Sequence, residues 1–283
     1  MLAGGGAGGL ILSPVIRALL SSVGGRWTLR IYALVNLVAG LPVAWAVPRS
    51  RFTTTSTADG PERRNTHVSR ALAARPTFFL SAIAAFLQAA GAQLPLAFIP
   101  SYSVVIGLGT STGANLLAAS NAINAASRIL TGYAGDRLGR QNTLVLTLLL
   151  AACSVFAFWL SSALTTQDGV TTSSGVASSL WLAFIALYSF SAGGYYALFP
   201  ALVADVFGIR QYAAVNAFIL FVRGLGTMFG SPVGGQLLGG KDEGTRAYAS
   251  IAYWDGALLM AATVCCVGVR WADAKGKGWK WVA

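Results

Sequence analysis

Residues 121–140, NAINAASRILTGYAGDRLGR, place a single arginine, Arg128, inside an apolar run and then gather three charges in a short segment. Those three charges belong to Asp136, Arg137 and Arg140. Burying an unpartnered charge costs a large free energy. The stretch therefore predicts a structure that compensates Arg128 and a solvent-exposed turn after it. The composition of the whole chain indicates whether this apolar run lies in a soluble protein or in a membrane.

The composition is typical of an integral membrane protein. Hydrophobic residues make up 55% of the 283 residues and charged residues 10%, whereas soluble domains carry about a quarter charged residues. A helix needs about 20 apolar residues to cross roughly 30 Å of hydrocarbon. Eight segments meet this need: Leu2–Leu20, Leu29–Val47, Thr77–Val104, Gly113–Ala134, Asn142–Ala163, Ser179–Ala204, Ala213–Leu237 and Ala249–Val269. We therefore predict an all-α, multi-pass protein in the lipid bilayer, with eight transmembrane helices.

The distribution of basic residues predicts the orientation of the chain, whose formal net charge is +11. Thirteen basic residues lie in the tail or in connections after even-numbered segments: Arg49, Arg51, Arg63, Arg64, Arg70, Arg75, Arg137, Arg140, Arg210, Arg270, Lys275, Lys277 and Lys280. The other connections hold four: Arg26, Arg30, Lys241 and Arg246. Basic residues accumulate in cytoplasmic loops. We expect the long linker and the C-terminus in the cytosol, the protein in the plasma membrane, and no nucleic-acid partner.

One long polar segment, residues 48–76, divides the chain. It is basic and rich in Ser and Thr, as is typical of a flexible cytosolic linker. We expect residues 1–47 to be the last two helices of an incomplete N-terminal half, 77–270 to be a six-helix C-terminal half, and 271–283 to be a cytosolic tail. On this division the sequence is expected to be an N-terminally truncated version of a transporter with two six-helix halves.

The predicted helix around Arg128 carries a polar stripe. Asn121, Asn124 and Arg128 are spaced i, i+3 and i+7, which places them on one helix face. An arginine at the centre of a membrane helix costs at least about 2.5 kcal/mol, and its planar guanidinium matches a carboxylate. The stripe therefore favours a site for an anionic substrate, with hydrogen bonds to neighbouring carbonyls as the alternative. Arg223, in the seventh predicted helix, raises the same choice between a substrate site and structural pairing.

Other residues of the predicted helices leave their roles open or indicate packing. Gln88 and Gln93 either bond between helices or face a pathway, and Asp255 is expected near the membrane surface because it comes early in its segment. Glycines at four-residue intervals allow membrane helices to approach closely. Such a series, at Gly226, Gly230 and Gly234, predicts a tightly packed helix face.

The segment after Arg128, GYAGDRLGR at residues 132–140, has the pattern G-x-x-x-D-R-x-G-R. It joins two long helices through few residues, so we expect these helices to be antiparallel neighbours, with Asp136 at the start of the second, where the helix dipole favours negative charge. The pattern resembles the cytoplasmic signature of the major facilitator superfamily. This resemblance implies a conformational latch, meaning residues that bias the outward-open against the inward-open state. The latch residues would be Gly132, Asp136, Arg137, Gly139 and Arg140.

Further stretches are similar to the monocarboxylate-transporter-like branch of that family, particularly its fungal members. They are GGGAGGLILSPVI (4–16), RWTLRI (26–31), FPALVADVFG (199–208) and NAFILFVRGLGTMFGSPVGGQLL (216–238). In studied relatives, an arginine matching Arg128 and an aspartate four residues before it act together in coupled movement of proton and substrate. Here the aspartate position holds Asn124. An asparagine amide does not bind and release a proton as a carboxyl group does. Asn124 and Arg128 are therefore not expected to couple proton movement in the way that the relatives' pair does.

The resemblance implies a secondary active transporter of small, monocarboxylate-like organic anions that works by alternating access, with protons as candidate coupling ions in a symporter. Two alternatives stay open: efflux of a carboxylated metabolite, and a non-transporting fragment or regulatory partner. An enzyme would need a metal or acid–base cluster, whereas the sole histidine, His67, lies in the linker. We therefore expect no enzyme, and neither catalytic residues, metal nor cofactor.

Overall fold

The protein is described by a computed structural model over residues 4–46, 68–165, 174–239 and 244–278. These residues form α-helices and short turns, with no β-strand among them. The helices are α1 (Gly4–Ala46), α2 (Arg70–Ala73), α3 (Pro76–Ala92), α4 (Leu94–Val105), α5 (Gly109–Leu138), α6 (Arg140–Ser154), α7 (Ser161–Thr165), α8 (Ser174–Phe207), α9 (Ile209–Leu238) and α10 (Arg246–Lys277). A π-helical segment, Val155–Leu160, connects α6 to α7. Residues 48–67 of the predicted linker, with His67, and 279–283 of the predicted tail lie outside the described residues.

Apart from a one-residue break at Gln93, the described part of each predicted transmembrane segment is helical, which confirms the all-α, multi-pass prediction. Five stretches are long and apolar enough to cross a membrane: Pro76–Val105, Arg140–Thr165, Gly175–Phe207, Ile209–Leu238 and Arg246–Gly276. Helix α5 is 30 residues long but does not meet the same measure of apolar character, because Ser, Thr and Asn accompany Arg128 along it. The most polar of the long helices is therefore the one that carries the predicted stripe.

The first two predicted helices meet without an intervening loop. Helix α1 changes direction at Gly24, whose φ of 77° and ψ of 166° are not helical. This backbone conformation is essentially restricted to glycine. The sequence Gly24–Gly25 thus supplies the only kind of residue that can end one helical segment and begin the next in a single step.

Two apolar clusters of described residues form the core of the bundle. The helices pack as neighbours: α3 against α9 and α10, α8 against α5 and α6, and α1 against α5. One cluster contains a set of contacting aromatic rings in which Trp159, Trp181 and Phe184 lie 5.1–5.9 Å apart between ring centroids. The second cluster is centred on Phe78, Tyr195 and residues of α6, α8 and α9. Helices α6, α8 and α10 contribute to both clusters, which makes them the frame of the bundle.

The glycine series of α9 lies against α3 and α4, as the four-residue spacing predicted. A Cβ at Gly226 would stand 2.5 Å from the Phe86 carbonyl oxygen, and one at Gly230 would overlap the backbone of Ala90. A Cβ at Gly234 would meet the side chain of Leu94. The absence of side chains on this face is what allows the two helix backbones to touch.

Large apolar side chains cover the outer surface of the bundle. Leu29 is 71% exposed, Ile129 69%, Phe221 65% and Val264 65%. Soluble monomers rarely expose contiguous apolar surface of more than a few hundred Å². This surface is therefore suited to contact with hydrocarbon or with other membrane helices.

We predict that Gly230→Ala destabilises the protein by about 1–3 kcal/mol, because overpacking a tight contact forces backbone shifts of that cost. The measurement is the midpoint of thermal unfolding in detergent. Gly235→Ala is the matched control, since nothing lies within 4 Å of a Cβ at that position of the same helix. Equal midpoints for the two variants would contradict the close contact.

Candidate functional site

Arg128 lies deep in the bundle on α5. It precedes the end of α5 at Leu138 by ten residues, or about 15 Å of helix at 1.5 Å per residue. Its side chain is half-buried, and its Nε donates a hydrogen bond to Oδ1 of Asn124 at 3.1 Å. The spacing i, i+4 in the sequence thus becomes a direct contact, which orients the guanidinium.

Asn124 is in turn held by the neighbouring helix. Its Nδ2 donates to the backbone carbonyl of Ser189 on α8 at 3.4 Å, and the hydroxyl groups of Ser120 and Ser189 are 2.7 Å apart. Asn121 is half-buried one turn before Asn124. The part of the predicted stripe formed by Asn124 and Arg128 therefore contacts α8.

Tyr196 of α8 lies close to both arginines that the sequence singled out. The guanidinium carbon of Arg128 is 5.1 Å from the centroid of the Tyr196 ring, and that of Arg223 on α9 is 5.0 Å from it. Arg223 also lies 5.0 Å from the ring of Tyr195. Guanidinium groups within about 6 Å of an aromatic ring face are attracted to its electrons. Helices α5, α8 and α9 thus bring two cations to one half-buried ring.

Two glycines of α8 permit this approach. A Cβ at Gly193 would overlap the hydroxyl of Ser127, and one at Gly194 would stand 2.6 Å from a methyl carbon of Thr147. Ser189, Gly193 and Tyr196 are spaced i, i+4 and i+7, so they share the face of α8 that contacts α5. The tyrosines were missed in the sequence analysis, although the run GGYY at 193–196 is a signal for close packing followed by aromatic polar groups.

The turn after Arg128 contains a single residue, Gly139, between α5 and α6. Its φ of 90° lies in the region that favours glycine. Asp136 belongs to the last turn of α5, so the expectation that it begins the next helix was wrong. Helix α5 extends to Leu138, because only Gly139 departs from helical geometry.

Arg140 joins the turn to α8. Its Nη1 donates to both carboxylate oxygens of Asp205 at 3.1 Å, and its Nη2 donates to Asp136 at 3.4 Å. Arg137 instead lies over the ring of Tyr133, 5.4 Å from the centroid. Arg140 is therefore the residue of the motif that connects two helices, and Asp205 is its partner outside the motif.

The glycines of the motif differ in their surroundings. Gly132 has open space where a side chain would be, whereas a Cβ at Gly135 would meet the side chain of Leu198 on α8. Gly135 is thus the glycine that allows α5 to contact α8 here, and Gly139 is the one that forms the turn.

The family was decided by comparison with known proteins, because the Major Facilitator Superfamily model matches residues 1–178. The chain belongs to the Major Facilitator Superfamily. It is 28% identical over 281 residues to an MFS-type transporter of Gibberella moniliformis, covering 98% of this chain and 61% of that protein. It is also 25% identical over 287 residues to the Aspyridones efflux protein of Emericella nidulans, covering 98% of this chain and 52% of the relative.

A third relative is named for a different substrate. The riboflavin transporter of Saccharomyces cerevisiae is 25% identical over 183 residues, which cover 62% of this chain and 32% of that transporter. These relatives are fungal, and the chain spans about three fifths of the length of the first curated relatives it matches. Each of these three relatives is named as a transporter or an efflux protein.

Asp255 of this superfamily protein is not near the surface, so that expectation was wrong. The residue is 0% exposed. The predicted segment started at Ala249, whereas α10 begins at Arg246 and turns Asp255 toward α3, beside Gly91. Gln88 is also buried, at 1% exposed, and Gln93 lies at the junction of α3 and α4.

We predict that Tyr196→Leu lowers the free energy of unfolding by about 1–2 kcal/mol, because it removes two cation–π contacts worth about 0.5–1 kcal/mol each. Tyr196→Phe is the matched control, since it keeps the ring and should stay close to the wild type. Chemical denaturation in detergent, followed by tryptophan fluorescence, gives both values. A Phe variant as unstable as the Leu variant would show that the hydroxyl group, not the ring, matters.

Proposed function

We propose that this Major Facilitator Superfamily protein is a secondary active transporter of small, monocarboxylate-like organic anions by alternating access. The observation that carries the proposal is the placement of both Arg128 and Arg223 about 5 Å from the ring centroid of Tyr196. Two positive charges and a polar aromatic group at membrane depth suit a carboxylate attached to an apolar body. Such a substrate would bind through charge-assisted hydrogen bonds to the guanidiniums.

We assign substrate contact to Arg128 and Arg223, and positioning to Asn124 and Asn121. The described contacts of the two guanidiniums include the amide of Asn124 and the rings of Tyr195 and Tyr196. Asn124 orients the guanidinium of Arg128 through an uncharged side chain, so this contact adds no negative charge to the site.

Export of a carboxylated metabolite is the second candidate. One relative is named as an efflux protein for aspyridones, and the geometry of an anion site is the same for either direction. The direction of transport under an imposed substrate gradient, measured in vesicles of known orientation, distinguishes uptake from export.

We further propose that the protein lies in the plasma membrane, that residues 77–270 form one structural half, and that the linker and the tail lie in the cytosol.

We expect Arg128→Ala to reduce transport at least about tenfold, because a hydrogen bond to a charged group is worth about 1.5–3 kcal/mol and 1.4 kcal/mol equals tenfold. The measurement is uptake of labelled carboxylates by the full chain in proteoliposomes, with and without a pH gradient. Arg246→Ala, at the exposed start of α10, controls for general loss of charge. Equal uptake by Arg128→Ala and the wild type would contradict the site assignment.

For the turn, we propose that Gly132, Asp136, Arg137, Gly139 and Arg140 act as the conformational latch, with Arg140 as its central residue. Asp205 of α8 and Asp136 of α5 both accept hydrogen bonds from Arg140. The arrangement ties the end of α5 to α8 at one membrane face. Opening the bundle on that face would separate these two helices and break the contact with Asp205.

We predict that Asp136→Asn and Arg140→Gln both change the labelling rate of a cysteine introduced at Asn115, which is exposed near the other end of α5. The reason is that a weaker latch alters the balance of the two open states. The test uses a background without Cys153, Cys265 and Cys266. Arg246→Ala, at the exposed start of α10 and outside the latch, is the control.

The expected change in labelling is a fewfold, because exposed ion pairs contribute about 1 kcal/mol or less. Labelling that is the same in Arg140→Gln, Arg246→Ala and the parent protein would contradict the latch.

A further inference from the structure

A buried carboxyl group lies outside the arginine site. Asp255 is 0% exposed, and neither of its carboxyl oxygens has a hydrogen-bond partner in the described part of the chain. The carbonyl oxygen Oε1 of Gln88, on the facing helix α3, is likewise buried without a partner. Gln88 precedes Gly91 by three residues and so shares the face of α3 on which Gly91 meets Asp255.

The space for the Asp255 side chain is provided by glycine. A Cβ at Gly91 would be 2.9 Å from Oδ1 of Asp255 and 3.3 Å from the side chain of Leu259. The hydroxyl of Tyr188 is already engaged, since it donates to the backbone carbonyl of Ala92 at 3.2 Å. The carboxyl is therefore enclosed by a glycine, apolar side chains and a tyrosine whose proton is used elsewhere.

The span that faces Asp255 is broken at the same level. Helix α3 ends at Ala92 and α4 begins at Leu94, within the 30-residue stretch Pro76–Val105. Pro95 has no N–H group and cannot donate to the carbonyl four residues before it, and the carbonyl of Gly91 accepts the N–H of Gln93 instead.

This break lies near the middle of the 30-residue apolar span Pro76–Val105. Gly91 comes 15 residues after Pro76, or about 22 Å of helix at 1.5 Å per residue. Backbone that departs from helix at this depth is tolerated where it is buried in protein or lines a cavity, and broken helices mark ion and substrate sites in transporters.

The titratable and charged groups on the elements around Asp255 lie on α4, α6, α8, α9 and α10 itself, whereas α3, the π-helical segment and α7 contain none. They are Tyr102 on α4, Arg140 and Cys153 on α6, Tyr188, Tyr195, Tyr196 and Asp205 on α8, and Arg210, Tyr212 and Arg223 on α9. Helix α10 itself carries Arg246, Tyr248, Tyr253, Cys265, Cys266, Arg270, Asp273, Lys275 and Lys277. Tyr188 is the one that interacts electrostatically with Asp255.

The cations among these groups have described contacts elsewhere or lie at helix ends. Arg140 pairs with Asp136 and Asp205, and Arg223 lies over Tyr195 and Tyr196. Tyr195 follows Tyr188 by two turns of α8, or about 10 Å. On α10 itself, Arg246 and Arg270 are nine and fifteen residues from Asp255. Among the described residues, therefore, no cationic side chain contacts the carboxyl group of Asp255.

We propose that Asp255 is a proton-binding site at the centre of the membrane, distinct from the arginine site. An ionised carboxylate buried without a partner is very costly, whereas the neutral acid is tolerated. When the break between α3 and α4 rearranges and admits water, the O–H bond of the carboxylic acid breaks, the proton passes to water and the carboxylate remains. The coupling of this release to opening of the bundle rests on the proposed function, and the proton site itself does not.

The deciding experiment is infrared spectroscopy of the full chain in proteoliposomes at neutral pH, where exposed carboxyl groups are ionised. We expect the carbonyl stretching band of a protonated carboxylic acid in the wild type and its complete loss in Asp255→Asn. Asp273→Asn is the matched control on the same helix, since Asp273 accepts a hydrogen bond from Gln141 at the far end of α10. The control should keep the band. Absence of the band from the wild type would overturn the proposal.

A second variant serves if Asp255→Asn fails to fold. Gly91→Ala places a methyl group against Oδ1 and should shift the frequency of the band, whereas Gly235→Ala, which meets nothing within 4 Å, should leave it unchanged. An unshifted band in Gly91→Ala would contradict the assignment to Asp255. Because the spectra need no substrate, a protein that shows the band but moves no carboxylate would refute the proposed transport and leave the proton site standing.

Discussion

The structure depends on the close contact of α8 with α5. Gly193 lets the two helices approach until the hydroxyl of Ser127 fills the place of a side chain, and the contact lets Asn124 bond the carbonyl of Ser189. A guanidinium at membrane depth needs such partners, because hydrocarbon offers none. The same approach places Tyr196 beside Arg128, and α9 brings Arg223 to the same ring. Small residues in one helix thus determine where charged side chains of the neighbouring helices can find partners.

The sequence was sufficient for features that arise within one helix. The apolar segments, the polar stripe of Asn124 and Arg128, the short turn and the glycine face of α9 all follow from spacing along the chain, and the structure contains each of them. Contacts between helices could not be predicted, because they depend on which spans become neighbours. Tyr196 and Asp205 are examples: each acquires its importance only from an arginine that is 65 or more residues earlier.

The two wrong expectations share a physical cause. Hydropathy locates the apolar part of a helix, whereas helix ends are set by backbone geometry. Asp136 falls before Gly139 and therefore in the last turn of α5, and the early start of α10 at Arg246 carries Asp255 inward. The position of a residue along a span also does not show which neighbouring helix its side chain meets. Only the packing of the helices shows that Asp255 is directed at Gly91.

The one-residue connection at Gly139 has a mechanical consequence. A linker of several residues would let α5 and α6 slide independently, whereas a single residue fixes the end of one helix to the start of the next. Any axial displacement of α5 is then transmitted to α6, and rotation about the dihedral angles of Gly139 is the remaining freedom between them. Helices α5 and α6 form a lever with its pivot at the membrane face, so a small angular change at the glycine becomes a larger displacement at the depth of Arg128.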